Sequence, residues 1–244
     1  GILASIGQQS VRVFRKPRIA LFSSGDELVQ PGKPLGPGQI YDSNQFVLAA
    51  MLEAAGAEVL RLGTSPDDPV MIETLLNQAV ARQADLIVTS AGVSVGAFDF
   101  VRQVIETRGR LEFWRVNMRP GKPLAFGLFD QIPLVGLPGN PVSAYVGCRV
   151  FVMPVLRKLA GQTEIFPNME KATLGESVES DGRESYLRAI VEDRDGKPVA
   201  TLTGHQGSGN LYSLVQANAL LIVPSGVKSL PSGSEVNIWF LEEK

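Results

Sequence analysis

Asp85-Leu86-Ile87-Val88-Thr89-Ser90-Ala91-Gly92-Val93-Ser94-Val95-Gly96-Ala97-Phe98-Asp99 decides the fold of this chain. Leu86 to Val88 is apolar without alternation, as a strand covered on both faces must be. The run passes into small, Gly-rich sequence and then into a helical pattern. Upstream, Arg18-Ile19-Ala20-Leu21-Phe22-Ser23 reads as another strand of this kind. Residues 43–55 are helical, with Val47, Met51, Leu52 and Ala55 on one face and Gly56 at the C-terminal cap. A strand over Glu58 to Leu62 follows. Asp67-Asp68-Pro69 then opens a helix over Val70 to Gln83. Strand–helix–strand–helix–strand demands right-handed crossovers and a largely parallel sheet.

Downstream, the pattern continues as a helix after Asp99, β-like Leu111 to Val116, Pro123 to Gly127 and Ile132 to Leu137. A long helix runs from Asn140-Pro141 to Leu159 and stops at Gly161. The expectation is a three-layer α/β/α sandwich with a mostly parallel sheet over residues 17–161, behind the remnant of a helix or linker at 1–16. From Gln162 the rhythm changes to short alternating segments: Tyr186 to Glu192, Val199 to Thr203, Ala219 to Val223 and Glu235 to Leu241. Turn residues separate them and no helical period intervenes. This predicts a small all-β domain over 162–244, a sandwich or barrel.

Composition sets limits on partners. The 244 residues carry a net charge of −2, so nothing draws the whole chain to nucleic acid or to an anionic membrane, and any anion site must be built locally. No apolar run approaches the roughly 20 residues that span a bilayer. A single cysteine, Cys148, rules out an internal disulfide framework and points to a reducing, cytoplasmic setting.

In an open α/β sheet, ligands bind beyond the carboxyl ends of the strands. Polar clusters fall at those ends: Ser23-Ser24-Gly25-Asp26-Glu27, Ser65 to Asp68, Ser90 to Gly96, and Leu137-Pro138-Gly139-Asn140-Pro141. The Ser90–Gly96 loop can bring backbone N–H groups and the Ser90 and Ser94 hydroxyls to an anion; its glycines serve a plain tight turn equally well. Gly92-Val93-Ser94-Val95-Gly96 also matches the nucleophile elbow of α/β-hydrolases. The only histidine, His205, lies in the β domain, which argues against a triad. Asp26, Glu27, Asp42, Asp67, Asp68 and Asp99 sit at loop–helix junctions. Some are simple N-caps, yet several acids along one rim suit Mg²⁺, which takes one or two carboxylates together with phosphate oxygens. Arg115, Arg119 and Lys122 place three cations within eight residues around Pro120-Gly121, a stiff basic loop fit for an oxyanion. Asn140-Pro141 gives a helix start at a strand end, anion-facing or merely structural.

Taken together and in order, these motifs resemble the molybdopterin molybdenumtransferase family (bacterial MoeA and the homologous domain of gephyrin). The matching stretches are Gly25-Asp26-Glu27-Leu28, Tyr41-Asp42-Ser43-Asn44, Ser90 to Asp99, Arg119-Pro120-Gly121-Lys122-Pro123, Leu137 to Ser143, and Gly204-His205-Gln206-Gly207-Ser208-Gly209-Asn210-Leu211. The resemblance implies a MogA-like molybdopterin-binding domain followed by a β-barrel. It implies a reaction in which adenylylated molybdopterin and molybdate, with Mg²⁺, give AMP and molybdenum cofactor. The metal acids would be Glu27, Asp67 and Asp99, and the cationic residues Arg115, Arg119 and Lys122. Substrate would be held by Gly25, Asp26, Asp42, Ser43, Asn44, Ser90, Gly92, Ser94, Gly96, Pro120, Gly121, Pro138, Gly139, Asn140, Pro141, Ser143, Arg188 and Ser208. Ala91 stands where the family usually has a second Gly, and Arg115 and Arg119 where some members have Lys. The resemblance further implies preceding N-terminal domains, a homodimer in the full-length protein, and contact with other proteins of cofactor biosynthesis. The competing readings are a MogA-like adenylyltransferase and a non-catalytic pterin-binding scaffold.

Overall fold

The computed structural model describes residues 1–91 and 95–241, with the side chains of 91 and 95–100 left out. Six strands form the first sheet: β1 (Arg18–Ser24), β2 (Glu58–Ser65), β3 (Leu86–Ala91), β4 (Gly109–Arg115), β5 (Pro123–Phe129) and β6 (Ile132–Leu137). Their spatial order is β2-β1-β3-β6-β5-β4. The first four in that order are parallel, whereas β5 runs antiparallel to both neighbours. The parallel strands need crossovers, and three helices supply them: α1 (Asn44–Ala54), α2 (Pro69–Ala81) and α3 (Val95–Arg108).

Helices cover both faces of the sheet. Ile19, Leu21, Leu86 and Val88 face Leu48 and Leu52 of α1 and Val152 and Leu156 of the long helix beyond β6. On the other face, Ala20, Phe22 and Ile87 meet Ile72, Leu76 and Ala79 of α2 and Val101, Val104 and Ile105 of α3. β1 and β3 are buried almost throughout for this reason. Where β4 and β5 pair, glycine is sterically required: a Cβ on Gly109 would come within 1.8 Å of the Leu128 carbonyl oxygen.

The long helix is not uniform. α4 (Pro141–Gly147) leads through a π turn at Cys148–Val152 into α5 (Met153–Leu159). Pro154 has no N–H for the carbonyl four residues back and would clash with it, and the wider π turn accommodates that defect. The turn also carries Arg149, whose guanidinium donates to the carbonyls of Leu241 (2.8 Å) and Phe240 (3.0 Å) and stacks on Trp239.

The second sheet closes on itself. β7 (Glu170–Leu174), β8 (Glu184–Arg194), β9 (Lys197–Leu202), β10 (Ala219–Val223) and β11 (Glu235–Phe240) run in the order β9-β7-β11-β10-β8, and β8 pairs back onto β9. The result is a five-stranded barrel filled by Leu174, Leu187, Ala189, Leu221, Val223 and Ile238. One expectation for this region is corrected: a short helix, α6 (Tyr212–Gln216), interrupts the strands. Only two of its residues, Leu214 and Val215, are aliphatic, too few to show a helical period. Met118, Val142, Val146, Tyr186, Leu220, Ile222 and Trp239 form an apolar seam between sandwich and barrel. Met118–Arg119 crosses that seam and pairs in parallel with Glu184 and Ser185 at the start of β8.

Candidate functional site

The order β2-β1-β3-β6 makes the chain reverse direction across the sheet between β1 and β3, the position at which open α/β sheets place ligands, beyond the carboxyl ends. Ser24, Ser65, Ala91 and Leu137 end the four parallel strands side by side. The loops that follow therefore share one rim.

At the β1/β2 end of that rim lie the acids. Asp26 accepts a hydrogen bond from the Asp67 backbone N–H at 3.0 Å. Glu27 folds back so closely that a Cβ on Gly25 would lie 2.6 Å from its Oε2, and the Gly25 φ of +156° suits glycine. Asp67 Oδ1 is buried without a hydrogen-bond partner among the described residues. Burial pushes the Asp67 carboxyl above its ordinary pKa, and the charges of Asp26 and Glu27 push it further. Asp68, by contrast, is a plain N-cap, accepting from Val70 N (2.8 Å) and Met71 N (2.9 Å). An open groove of about 570 Å³ lined by Asp26, Gln30, Lys33, Gln39 and Thr64 flanks the acids.

Buried polar side chains brace the middle of the rim. Asn44 Nδ2 donates to Ser90 Oγ and to the Gly139 carbonyl, both at 2.7 Å, and so ties the end of β3 to the end of β6. Asp42 is 1 % exposed and accepts from Gln45 N (3.2 Å) and Thr64 Oγ1 (3.0 Å), while Gln45 Nε2 donates to the Gly63 carbonyl at 2.7 Å. Asp42, Asn44 and Ser90 thus hold other residues in place. Ser43 is the N-cap of α1 and makes no side-chain capping bond. Gly92 and Ser94 lie outside the described residues. Gly96 and Asp99 belong to α3, but their side-chain surroundings are not described.

At the β6 end the rim meets the barrel around a cavity of about 300 Å³. Arg119, Pro120, Gly121, Pro138, Asn140 and Ser143 line it from the sandwich, and Arg183, Arg188, Gln206, Gly207 and Ser208 from the barrel. Among the described residues Arg188 is the largest of the fully buried side chains. Its Nε donates to Ser213 Oγ (3.0 Å) and its Nη2 to the Gly207 carbonyl (3.1 Å). Among the described residues no carboxylate pairs with Arg188 or with Arg119. Burial, with the like charge of Arg119 added, lowers the Arg188 guanidinium to about 10. A buried charge without a counter-ion is costly, and an anion entering the cavity would offset that cost. The first turn of α4 reaches the same place, and Val142 N donates to the Ser208 carbonyl at 3.1 Å.

The basic loop divides. Arg119, Pro120 and Gly121 line the cavity, but Lys122 is exposed, and the Arg115 guanidinium lies 3.9 Å from the centroid of the Trp114 ring. Gly139 and Pro141 hold the strand-to-helix turn beneath the cavity. Arg183, Gln206 and Gly207 are lining residues that sequence reasoning passed over. Arg183 sits in an ordinary charged turn, Asp181-Gly182-Arg183-Glu184, which carries no signal of a site. Arg188 does carry one, as a lone cation within the apolar run Tyr186-Leu187-Arg188-Ala189-Ile190-Val191.

Comparison with known proteins finds two family matches. Residues 20–158 match the family model described as a probable molybdopterin binding domain, and residues 171–241 match the MoeA C-terminal region, domain IV. The chain is 41% identical over 242 residues to a molybdopterin molybdenumtransferase of Nostoc sp., covering 96% of this chain and 55% of that one. It is 37% identical to the enzyme of that name from Haemophilus influenzae, covering 97% and 59%. A crystal structure of the MoeA molybdopterin biosynthesis protein of Pyrococcus horikosii superposes with a TM-score of 0.85 at 32% identity, over 100% of this chain and 59% of that one. The chain spans a little over half the length of these relatives. It belongs to the family of the probable molybdopterin binding domain, and a match to the MoeA C-terminal region follows that domain.

Proposed function

We propose that this chain forms the catalytic portion of a molybdopterin molybdenumtransferase: adenylylated molybdopterin lies along the rim, molybdate enters the arginine cavity, and AMP is released. One observation carries the reading. A cavity around the buried Arg188, which no carboxylate pairs among the described residues, and a carboxylate cluster stand on one sheet edge, at the ends of β6 and β1, two strand positions apart. At the usual spacing that is roughly 10 Å, a span that a ligand with two linked phosphates can bridge. The Ser90–Gly96 loop follows the strand between them.

The acids fit Mg²⁺. Among the described residues no three potential ligands converge into a complete cage, yet Mg²⁺ needs only one or two carboxylates when phosphate oxygens supply the rest. Asp67, with its orphaned buried oxygen, and Glu27 would hold it, with Asp99 as the third acid. Bound there, the ion would neutralise phosphate charge as the phosphoanhydride breaks. Arg119 and Arg188 hold the molybdate dianion, and Asn44 fixes the two loops between which the ligand lies. The dithiolene sulfurs that accept molybdenum belong to the substrate. The 100 % buried Cys148, its thiol pushed up to about 12 by burial, takes no part. The protein's contribution is positioning and preorganised charge.

No helix among the described residues is long and apolar enough to cross a membrane. We place the protein in the cytosol, acting as a homodimer beside other proteins of cofactor synthesis. The exposed apolar Ile40, Tyr41 and Phe46 near the rim are consistent with a covered surface. The test is AMP release by the full-length protein from adenylylated molybdopterin. The expected result requires both molybdate and Mg²⁺, is abolished in Asp67→Asn, and needs far higher molybdate in Arg188→Ala. ATP-dependent adenylylation of molybdopterin would indicate an adenylyltransferase instead, and tight pterin binding without turnover a scaffold.

A further inference from the structure

Arg183 is the third guanidinium of the cavity, and no motif or comparison singles it out. It stands in the turn that leads into β8. Its Nε and Nη2 donate to one oxygen of Asp181, at 3.1 and 2.5 Å, and its Nη1 donates to the Met118 carbonyl at 3.3 Å. The Met118 carbonyl precedes Arg119 in the two-residue strand that pairs with Glu184 and Ser185. Arg183 therefore straps the sandwich's basic loop onto the barrel just where that loop turns into the cavity. A guanidinium has five donors. Three are committed here, so one on each terminal nitrogen remains for an oxyanion. Asp181 shares the charge of Arg183 from the solvent side, with its side chain 41% exposed. Arg188 has no such partner among the described residues, and Arg119 makes no ion pair there, feeling the Asp181 carboxylate only through its charge.

We infer that Arg183 is a specificity-determining residue for the oxyanion: it presents a third cation to molybdate and holds Arg119 in register with Arg188. The inference rests on the molybdate-cavity reading above. A tetrahedral dianion offers four oxygens, and three guanidiniums converging from two domains enclose it as a single cation could not.

The test uses the full-length protein and the molybdate dependence of AMP release. Arg183→Gln keeps length and a donor for the Met118 carbonyl but removes the charge. It is expected to raise the KM for molybdate about tenfold or more, as loss of charge-assisted hydrogen bonds does. The KM for adenylylated molybdopterin should stay within about twofold. Arg183→Lys, which keeps the charge without the fork, should show a smaller rise. A purely structural strap would leave the molybdate KM unchanged in Arg183→Gln, or would raise both KM values together, and either result overturns the inference. Arg188→Ala separates the two levels. If it raises the molybdate KM while Arg183→Gln does not, the cavity stands and the role of Arg183 falls. If neither variant changes it, the molybdate-cavity reading falls and takes this inference with it.

Discussion

Replacing Arg188 by Met should separate stability from anion binding. Arg188 is 0% exposed, and burial lowers its pKa from 12.5 to about 10. At 1.36 kcal/mol per pKa unit this corresponds to about 3 kcal/mol against the folded state, reduced to about 2 kcal/mol because the group borders a polar cavity. Neutral pH lies below both values, so the penalty is fully present there and is relieved only as pH rises beyond 10. Against it stand the hydrogen bonds to Ser213 Oγ and the Gly207 carbonyl, bonds from a charged donor worth about 1.5 kcal/mol or more each. After the substitution Ser213 Oγ keeps its own bond to the Asn210 carbonyl at 2.6 Å, and the Gly207 carbonyl faces the cavity. Met fills most of the vacated volume. Gain and loss nearly cancel, so Tm should move by less than about 4 °C. Molybdate should behave differently. At one hundred times Kd it stabilises the wild type by about 2.7 kcal/mol, a rise of about 5–10 °C, and it should leave Arg188→Met unmoved. Differential scanning fluorimetry of the full-length protein with and without molybdate reads both. A fall of more than about 8 °C in Arg188→Met would make Arg188 a keystone of the fold, and a retained molybdate shift would place the anion elsewhere.

Other expectations follow from the same geometry. Gly25→Ala would set a methyl 2.6 Å from Glu27 Oε2 at a backbone φ of +156°, so the Mg²⁺ concentration for half-maximal activity should rise and Tm should fall. Arg108 bonds Asn77 (2.6 Å) and Glu73 (3.2 Å), pairs with Asp130 and stacks on Phe129, all remote from the rim. Arg108→Ala should lower stability by about 1–2 kcal/mol, visible as a drop in urea midpoint, with the molybdate KM unchanged. Cys148 is buried and its thiol is pushed up to about 12. Ellman's reagent at pH 8 should therefore find no thiol at this position until denaturant unfolds the sandwich.

The parallel core was legible because β1 and β3 are covered on both faces, and that condition writes an unbroken apolar run into sequence. The barrel was legible as alternation, but its closure was not. Closure depends on β8 pairing with β9 and with β10 along an 11-residue strand, and register over that distance leaves no local mark. The short helix α6 escaped for a related reason. Its position is fixed by Ser213, buried where its hydroxyl accepts from Arg188, a tertiary contact with no sequence periodicity.

The site divides along the same physical line. Acids and small residues at strand ends could be placed on one rim by topology alone, because a parallel sheet forces its carboxyl-end loops together. The basic half could not, because its wall comes from a different domain. Sequence proximity grouped Arg115, Arg119 and Lys122, yet a loop that turns through Pro120-Gly121 sends its side chains in different directions. Only Arg119, carried on the strand that joins the barrel sheet, reaches the cavity. A near-neutral chain must concentrate positive charge locally if it is to hold a dianion, as we propose, and Arg119 of the sandwich faces the same cavity as Arg183 and Arg188 of the barrel. On the proposed reading the barrel's contribution is electrostatic: without it the rim would keep its carboxylates but lose two of the three guanidiniums that line the cavity.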